Sequence, residues 1–208
     1  MTDAANSVFV NCPFDDDYKP LFEVLLFTIA SSGYRARCAL EEVNAADIRF
    51  DKLCRLIAES QKSVHDLSRT ELGRENNLPR FNMPLELGLF LGAKRFGGKA
   101  HQRKFALVLT AEKHSLPVYL SDTAGSDASQ HHGKPIEIIR SVRSYLHTTQ
   151  SSQPLPGASR ILEVFEHFKS VRSRYARALQ MTPDEIDPFR DYRDYLGIQA
   201  EYLNAVAT

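Results

Sequence analysis

What this sequence lacks excludes several classes of protein. Its 208 residues include only three cysteines, an odd number, widely spaced at Cys12, Cys38 and Cys54. This usage matches neither a disulfide framework nor a zinc site, and it is typical of a reducing cytoplasm. No apolar run approaches the ~20 residues that span a membrane, and the polar N-terminus lacks the apolar core of a signal peptide. We therefore expect a cytoplasmic protein with no membrane partner and no bound metal.

The sequence also lacks an excess of charge of either sign, since 26 lysines and arginines balance 26 aspartates and glutamates. A neutral chain has no overall field that attracts nucleic acid or acidic lipid, so we expect neither as a partner. Three arginines near the C-terminus (Arg172, Arg174 and Arg177) are accordingly interpreted as a solvated helix face. The phosphate-binding loop, the dinucleotide fingerprint and the G-x-S-x-G elbow are all absent, which argues against the enzymes that depend on them.

What is present is an alternation of strands and helices. The predicted strands are the apolar runs at 7–11, 34–40, 62–68 and 104–110, with a short fifth segment at 116–120. The predicted helices of this region cover 20–30, 48–60, 82–92 and 136–148, and polar loops are predicted at 69–80 and 121–135. Alternation at this cadence predicts an α/β fold, with a parallel sheet covered by helices on both faces.

The last quarter of the chain has a different pattern. A Ser/Gln/Pro-rich stretch at 149–158 predicts a linker between an α/β domain (1–148) and a C-terminal helical extension (159–208). In the extension, the capping-box pattern from Thr182 to Glu185 predicts the start of a second helix. We expect a helical hairpin that docks on the sheet domain or mediates self-association, and hence a homo-oligomer.

The predicted helix at 82–92 is apolar around most of its circumference and yet carries one carboxylate, Glu86. Pro84 favours the first helical position, which puts Glu86 in the first turn. There the carboxylate either answers the free N–H groups and the helix dipole, or acts in catalysis at a site lined by the helix end. Gly88 and Gly92 cost roughly 0.8–1 kcal/mol each relative to alanine, so we expect another backbone or a ligand to approach them closely.

The carboxyl ends of the predicted strands form the second candidate region, because open parallel sheets bind ligands beyond that edge. The first strand delivers Asn11, Cys12, Phe14 and Asp15 to that edge, and the C-terminal end of the third delivers His65, Asp66 and Ser68. Asp66 and Glu86 are candidates for a carboxylate pair of the kind that cleaves bonds to the anomeric carbon of a sugar. The alternative for Asp66 is a strand-end aspartate that caps the next loop.

Cysteine and histidine give weaker signals. Cys12 is either a thiol at the site or, as is more common, a small buried apolar residue. The histidines His101, His114, His131 and His132 lack metal-ligand spacing, and we interpret them as surface-loop residues. The polar loop at 121–127 is a candidate to close over the site.

Three motifs carry a resemblance to known families. Residues 8–11 and the acidic loop after them resemble the opening strand and loop of TIR domains. Residues 65–68, followed by Glu86 in a Glu-Leu-Gly context, resemble nucleoside 2-deoxyribosyltransferases, in which a strand-end aspartate precedes a helix bearing the nucleophilic glutamate. The nearest resemblance is to uncharacterised bacterial TIR-like proteins with Asn-Cys-Pro-Phe-Asp, His-Asp-Leu-Ser-Arg and Asn-Met-Pro-x-Glu-Leu-Gly. It covers about residues 8–146. The chain departs from both families, because it has no tryptophan for the TIR Trp-Cys pair and no Ser-Gly-Thr before the glutamate helix.

The resemblance implies a flavodoxin-like sheet and cleavage of an N-glycosidic bond, with NAD⁺ or a related nucleotide as substrate rather than cofactor. Glu86 would then stabilise or trap the ribosyl cation, and Asp66 would hold ribose hydroxyls. The implied substrate-binding residues are Asn11, Phe14, Asp15, Ser68, Asn82 and Met83. Families of this kind often act in bacterial antiviral defence and assemble to complete their sites. Two alternatives stay open, which are deoxyribosyl transfer between nucleobases and a sensor that binds a nucleotide signal without turnover.

Overall fold

The computed structural model describes residues 4–42, 44, 46–68, 81–112, 128–149 and 154–207. Within those residues the strands are β1 (Ser7–Asn11), β2 (Arg35–Arg37), β3 (Lys62–Asp66), β4 (Phe105–Thr110) and β5 (Ser129–Gln130). The α-helices are α1 (Lys19–Ser31), α2 (Arg49–Ala58), α3 (Asn82–Phe96), α4 (Lys99–Gln102), α5 (Pro135–Thr149), α6 (Ala158–Ala178) and α7 (Tyr192–Ala207). None of these described helices combines the length and apolar character that a membrane crossing requires.

The strands form one parallel sheet in the order β2-β1-β3-β4-β5, which is the flavodoxin-like order. The predicted α/β fold is therefore confirmed. Every residue of β1 and β3 is buried, as expected for central strands of a sheet covered on both faces. The strand order reverses direction between β1 and β3, and such a switch point opens a crevice outside the carboxyl ends of the strands.

The two faces of the sheet contribute to different hydrophobic clusters, because successive side chains of a strand point to opposite faces. Val10 and Val64 belong to the cluster that contains buried residues of α1 and α5. Phe9 lies on the other face, in a cluster with Leu56 of α2 and Phe90 of α3. These clusters define an α1/α5 face and an α2/α3 face of the sheet.

The C-terminal helices pack on the α/β core and cover α1. Helix α6 contacts α1 and α5, and α7 contacts α1 and α6. The ring of Phe27 on α1 lies 5.3 Å from that of Phe165 and 5.4 Å from that of Phe168, centroid to centroid. These side chains share one hydrophobic cluster with the sheet, so the C-terminal helices form a third layer over α1. Arg172 is not part of a solvated face, since it pairs with the buried Glu23 at 2.8 Å, whereas Arg174 and Arg177 are exposed.

Several elements differ from the sequence-based expectation. The capping box is present, but it starts only a 3₁₀ turn (Pro183–Glu185), and α7 begins after Pro188, whose ring disfavours helical geometry at the preceding residue. Strand β2 ends at Arg37 because a turn closes there, with the Glu41 N–H donating to the Cys38 carbonyl. Strand β5 falls inside a predicted loop, since two polar residues give no apolar run. Helix α4 was not predicted from its polar sequence. The predicted segment 116–120 and the loop 69–80 lie outside the described residues.

Candidate functional site

Helix α3 begins at Asn82, two residues earlier than the position of Pro84 predicted, and the Leu85 N–H donates to the Phe81 carbonyl at 2.9 Å. Pro84 therefore occupies the third helical position, where its missing N–H costs nothing, because the first four N–H groups of a helix have no intrahelical partner. The prediction that Glu86 lies in the first turn is wrong. Glu86 belongs to the second turn, and no acidic residue lies in the first. A capping role for Glu86 loses its geometric basis.

Glu86 is a buried carboxylate without a hydrogen-bond or ion-pair partner in the described part of the chain. It is 7% exposed, and among the residues that the structure describes none donates a hydrogen bond to it or forms an ion pair with it. Burial raises the pKa of Glu86 to about 7, although the charge of Arg49 at the start of α2 partly lowers it. The carboxylate is thus close to half ionised at neutral pH, and its oxygens are free to interact with a ligand.

Asp66, at the end of β3, is in the opposite situation. It is fully buried and accepts four hydrogen bonds, from the Tyr18 hydroxyl at 2.5 Å, the Ser68 N–H at 2.9 Å, the Ser68 hydroxyl, and His131 Nε2 at 3.1 Å. Burial alone would raise the pKa of Asp66, but the hydrogen bonds from His131, Ser68 and Tyr18 outweigh burial and hold it below its usual value. Asp66 is therefore an ionised acceptor whose oxygens are occupied by protein donors.

The tautomer of His131 follows from its contacts. The Gly133 N–H donates to His131 Nδ1 at 3.0 Å, so in the neutral ring the proton is on Nε2, which faces both Asp66 and, at 2.7 Å, the Ser68 hydroxyl. Because serine and aspartate contact the same ring nitrogen, these residues cannot work as a Ser-His-Asp relay, which needs opposite nitrogens. His131 is 2% exposed, so its interpretation as a surface-loop residue is wrong. His132 is exposed as expected, and His114 lies outside the described residues.

Asn11, at the end of β1, fixes α3 to the sheet. Its side-chain amide nitrogen lies 2.9 Å from His65 Nδ1 and donates to the Met83 carbonyl at 2.8 Å. His65 is fully buried, and burial lowers its pKa to about 3, so the ring is neutral and Nδ1 accepts the hydrogen bond from Asn11. Both hydrogens of the Asn11 amide are thus used within the fold. The result is a fixed distance between the end of β1 and the turn of α3 that precedes Glu86.

The remaining predicted substrate-binding residues have varied positions. Phe14 packs against Phe22 and Phe189, with ring centroids 5.4 and 6.1 Å away. Asp15 accepts a hydrogen bond from the Tyr18 N–H at 3.1 Å. Met83 is buried in a small cluster with three other apolar residues, and Asn82 is exposed at the start of α3. The loop 121–127, predicted to close over the site, lies outside the described residues.

The two carboxylates approach the carboxyl edge of the sheet from different faces. Asp66 binds Tyr18 and His131, which adjoin α1 and α5, whereas Glu86 belongs to α3 on the other face. Burial raises the pKa of the Cys12 thiol, and negative charge, chiefly that of Asp66 and to a smaller extent that of Glu86, raises it further. Cys12 is buried, as expected for a small apolar residue after a strand. In this arrangement Glu86 has free acceptor capacity for chemistry, and Asp66 orders the residues around it.

Sequence reasoning did not assign Tyr18, His131 or Arg49 to this region. Tyr18 and Asp66 are 48 residues apart, and no local motif joins them. Among the described residues no group of three or more histidine, cysteine and acidic side chains is arranged to hold a metal ion. Neither a protein-family model nor the sequence of a curated protein matches this chain.

Proposed function

We propose that the protein is an N-glycosidase that cleaves the bond between ribose and base in NAD⁺ or a related nucleotide. The observation that carries the proposal is Glu86, a carboxylate that is buried, has no partner among the described residues and has a pKa raised to about 7. A partnerless carboxylate in a poorly solvated position interacts strongly with positive charge that develops on a bound substrate. Glu86 lies beside the switch point of the sheet, and ligands bind at that point in folds of this class.

The chemistry of NAD⁺ fits a site with one available carboxylate. When the bond from the ribose anomeric carbon to the pyridinium nitrogen breaks, both bonding electrons leave with nicotinamide, which departs neutral and needs no proton. The positive charge that remains on the ribose is stabilised by ionised Glu86, or trapped by it as an ester. Water then adds to the anomeric carbon and loses a proton, and an ester bond, where one has formed, breaks to return the Glu86 carboxylate. The products are nicotinamide, ADP-ribose and a proton. Because the departure of nicotinamide needs no proton donor, a site with one available carboxylate favours NAD⁺ hydrolysis over deoxyribosyl transfer. In that transfer the neutral nucleobase leaves more readily when an acid protonates it.

In this proposal Asp66 has a positioning role first. It holds Tyr18, Ser68 and His131 at the carboxyl edge of the sheet. Asp66 can contact ribose hydroxyls directly only if one of these donors releases its hydrogen bond to Asp66 and a hydroxyl of the substrate takes its place. The resemblance to TIR-like proteins extends the proposal to a homo-oligomeric effector of bacterial antiviral defence that acts in the cytoplasm.

The test is a comparison of NAD⁺ cleavage by the purified wild type, Glu86→Gln and the exposed control Glu201→Gln. We expect the wild type and the control to release equal amounts of nicotinamide and ADP-ribose. Glu86→Gln should turn over at least ~100-fold more slowly, because an amide cannot balance the cationic transition state. Chromatography of both products measures the rates. Equal turnover in wild type and Glu86→Gln, or none in either, would contradict the proposal.

The same protein samples separate the two alternatives. Incubation with a deoxynucleoside and a foreign base yields the exchanged nucleoside only if the protein is a transferase. A thermal shift on adding NAD⁺, without product and unchanged in Glu86→Gln, would instead indicate a sensor.

A further inference from the structure

A cavity lies at the amino end of the sheet, the opposite end from Glu86. Its volume is about 390 Å³, and it adjoins the residues that precede β3 and β4. The lining consists of Ser60, Gln61, Lys99, His101, Arg103 and Lys104, together with three alanines. A cavity of this size is within the range that small ligands occupy.

The described residues of the lining carry positive charge and include no carboxylate. Lys99 and Arg103 are exposed at the rim, and Lys104 is buried. Two acidic residues are next to the lining in sequence: Glu59 lies 3.3 Å from Arg37 and so is engaged elsewhere, and Asp3 lies outside the described residues. The segment 94–104 contains five of the 26 lysines and arginines and no acid, in a chain that is neutral overall. Positive charge is therefore concentrated at this end of the sheet.

The Lys104 ammonium is held in a fixed position. It donates to the carbonyls of Ile57 and Ser60, at the C-terminal end of α2, and lies 4.6 Å from the centre of the Phe90 ring. Burial lowers the pKa of Lys104 to about 8, because removing the charged ammonium from water costs free energy. The side chain therefore begins to lose its proton near neutral pH. An anion in the cavity would reduce that cost.

Ser60 supplies an independent sign of a ligand. It lines the cavity and is fully buried, yet its hydroxyl has no hydrogen-bond partner among the described residues. Buried hydroxyls without a partner are rare in folded proteins, because the lost hydrogen bonds to water are not replaced. An oxygen of a bound molecule would accept a hydrogen bond from this group.

We propose that this cavity binds a small phosphorylated anion, whose phosphate oxygens accept hydrogen bonds from Lys99, Arg103 and the Ser60 hydroxyl. Phosphate presents only acceptors and carries negative charge, which matches a lining of cationic donors and a hydroxyl. The cavity volume of about 390 Å³ suits a small molecule, whereas a nucleic acid needs a groove that follows its backbone. The site is separate from the Glu86 region and does not depend on the function proposed there.

Isothermal titration with inorganic pyrophosphate tests the proposal on three proteins. These are the wild type, Lys99→Gln/Arg103→Gln, and the control Arg174→Gln/Arg177→Gln, which removes the same charge from exposed positions on α6. We expect the first double variant to bind at least tenfold more weakly and the control to stay within twofold of wild type. Equal affinity in all three proteins, or no binding by wild type at millimolar pyrophosphate, would overturn the proposal.

Further titrations identify the source of the phosphate group. AMP that binds more tightly than orthophosphate and adenosine would identify a nucleotide, and equal affinity for AMP and orthophosphate would identify the phosphate alone. Adenosine that binds as tightly as AMP would overturn the proposal. So would single-stranded oligothymidine that binds more tightly than pyrophosphate and loses its affinity in Lys99→Gln/Arg103→Gln, because it would assign the surface to nucleic acid.

Ser60→Ala gives a second, structurally mild test. The substitution removes a hydroxyl that has no partner among the described residues, so the fold should keep its stability. We expect pyrophosphate affinity to fall several-fold. Unchanged affinity in Ser60→Ala would contradict the assignment of this hydroxyl as a ligand group.

Discussion

At the scale of single residues, Glu86 and Asp66 illustrate how the same functional group acquires two different roles. Both are buried at the carboxyl end of the sheet, but Asp66 has four hydrogen bonds and a lowered pKa. Glu86 has no partner among the described residues and a raised pKa. Burial without compensation disfavours the charged form, whereas hydrogen bonds to the carboxylate favour it. The partners of these two residues, rather than their burial, account for the opposite shifts of their pKa values.

This difference predicts a pH-dependent effect of Glu86→Gln on stability. The pKa of Glu86 is raised from 4.5 to about 7 on folding, so its ionisation costs stability fully above pH 7 and not at all below about pH 4. The free energy of unfolding of Glu86→Gln should exceed that of wild type increasingly between pH 5 and 8. The gain reaches at most about 3 kcal/mol, at 1.36 kcal/mol per pKa unit. Urea unfolding at both pH values measures it, with Glu201→Gln as control, and a pH-independent difference would contradict the pKa shift.

Glu86 could be identified as a candidate from the sequence, because a carboxylate is unusual in an apolar helix. The sequence also placed Asp66 and Ser68 correctly at a strand end. It did not reveal what those groups bind. The contacts of Asp66 with Tyr18 and His131 depend on the meeting of two loop regions across the sheet. Periodicity describes one element at a time, so contacts of this kind have no local signal.

At the scale of elements, the start of α3 decides the position of Glu86. Proline fits any of the first helical positions, since the N–H groups there have no intrahelical partner. The sequence therefore favoured a start at Pro84, whereas the helix begins at Asn82 and is attached to β1 through the Asn11–Met83 hydrogen bond. The two-residue difference between Pro84 and the observed start removes the capping alternative for Glu86, because Glu86 lies in the second turn.

The glycines of α3 give a prediction at this scale. A Cβ added at Gly88 or Gly92 meets no described atom within 4 Å, so the close approach expected there is not found in the described part of the chain. Alanine at either position should stabilise the protein by about 0.5–1 kcal/mol through better helix propensity. At Gly97 a Cβ would lie 2.4 Å from the Ala93 carbonyl oxygen, so Gly97→Ala should be destabilising.

Thermal unfolding of the three alanine variants checks this contrast. A lower melting temperature for Gly88→Ala or Gly92→Ala would show that another group approaches the helix there. If instead the stability rises while NAD⁺ cleavage is lost, the helix face contacts substrate or a second copy of the chain.

At the scale of the whole molecule, the burial of α1 depends on the C-terminal helices. Eight of its residues are buried, including Phe27 and Glu23, because α1 lies between the sheet and the layer of α6 and α7. A helix that is apolar on nearly every side needs cover on both sides. The sequence contained this signal in the run that follows Pro20, but the Ser/Gln/Pro-rich stretch suggested an appendage rather than a shared core.

Loss of that layer should unfold the molecule. A chain that ends at residue 153 exposes the apolar surface of α1, and it should fail to unfold cooperatively in circular-dichroism melts or remain insoluble. In the full chain, Phe168→Ala should cost about 3–5 kcal/mol, because it leaves a cavity against Phe27. The control Phe96→Ala should cost less than about 0.5 kcal/mol, because that side chain is 88% exposed. A truncated chain that melts cooperatively at the wild-type temperature would contradict this account.

The most direct test of the central claim is a crystal structure of Glu86→Gln with NAD⁺ bound, since the variant should bind the substrate without cleaving it. We expect the anomeric carbon of the nicotinamide ribose to lie about 3–3.5 Å from the side-chain amide at position 86, as a reacting pair must. The nicotinamide should lie on the far side of that carbon. NAD⁺ bound with its ribose away from position 86, or at the amino end of the sheet, would contradict the assignment of Glu86 as the catalytic carboxylate.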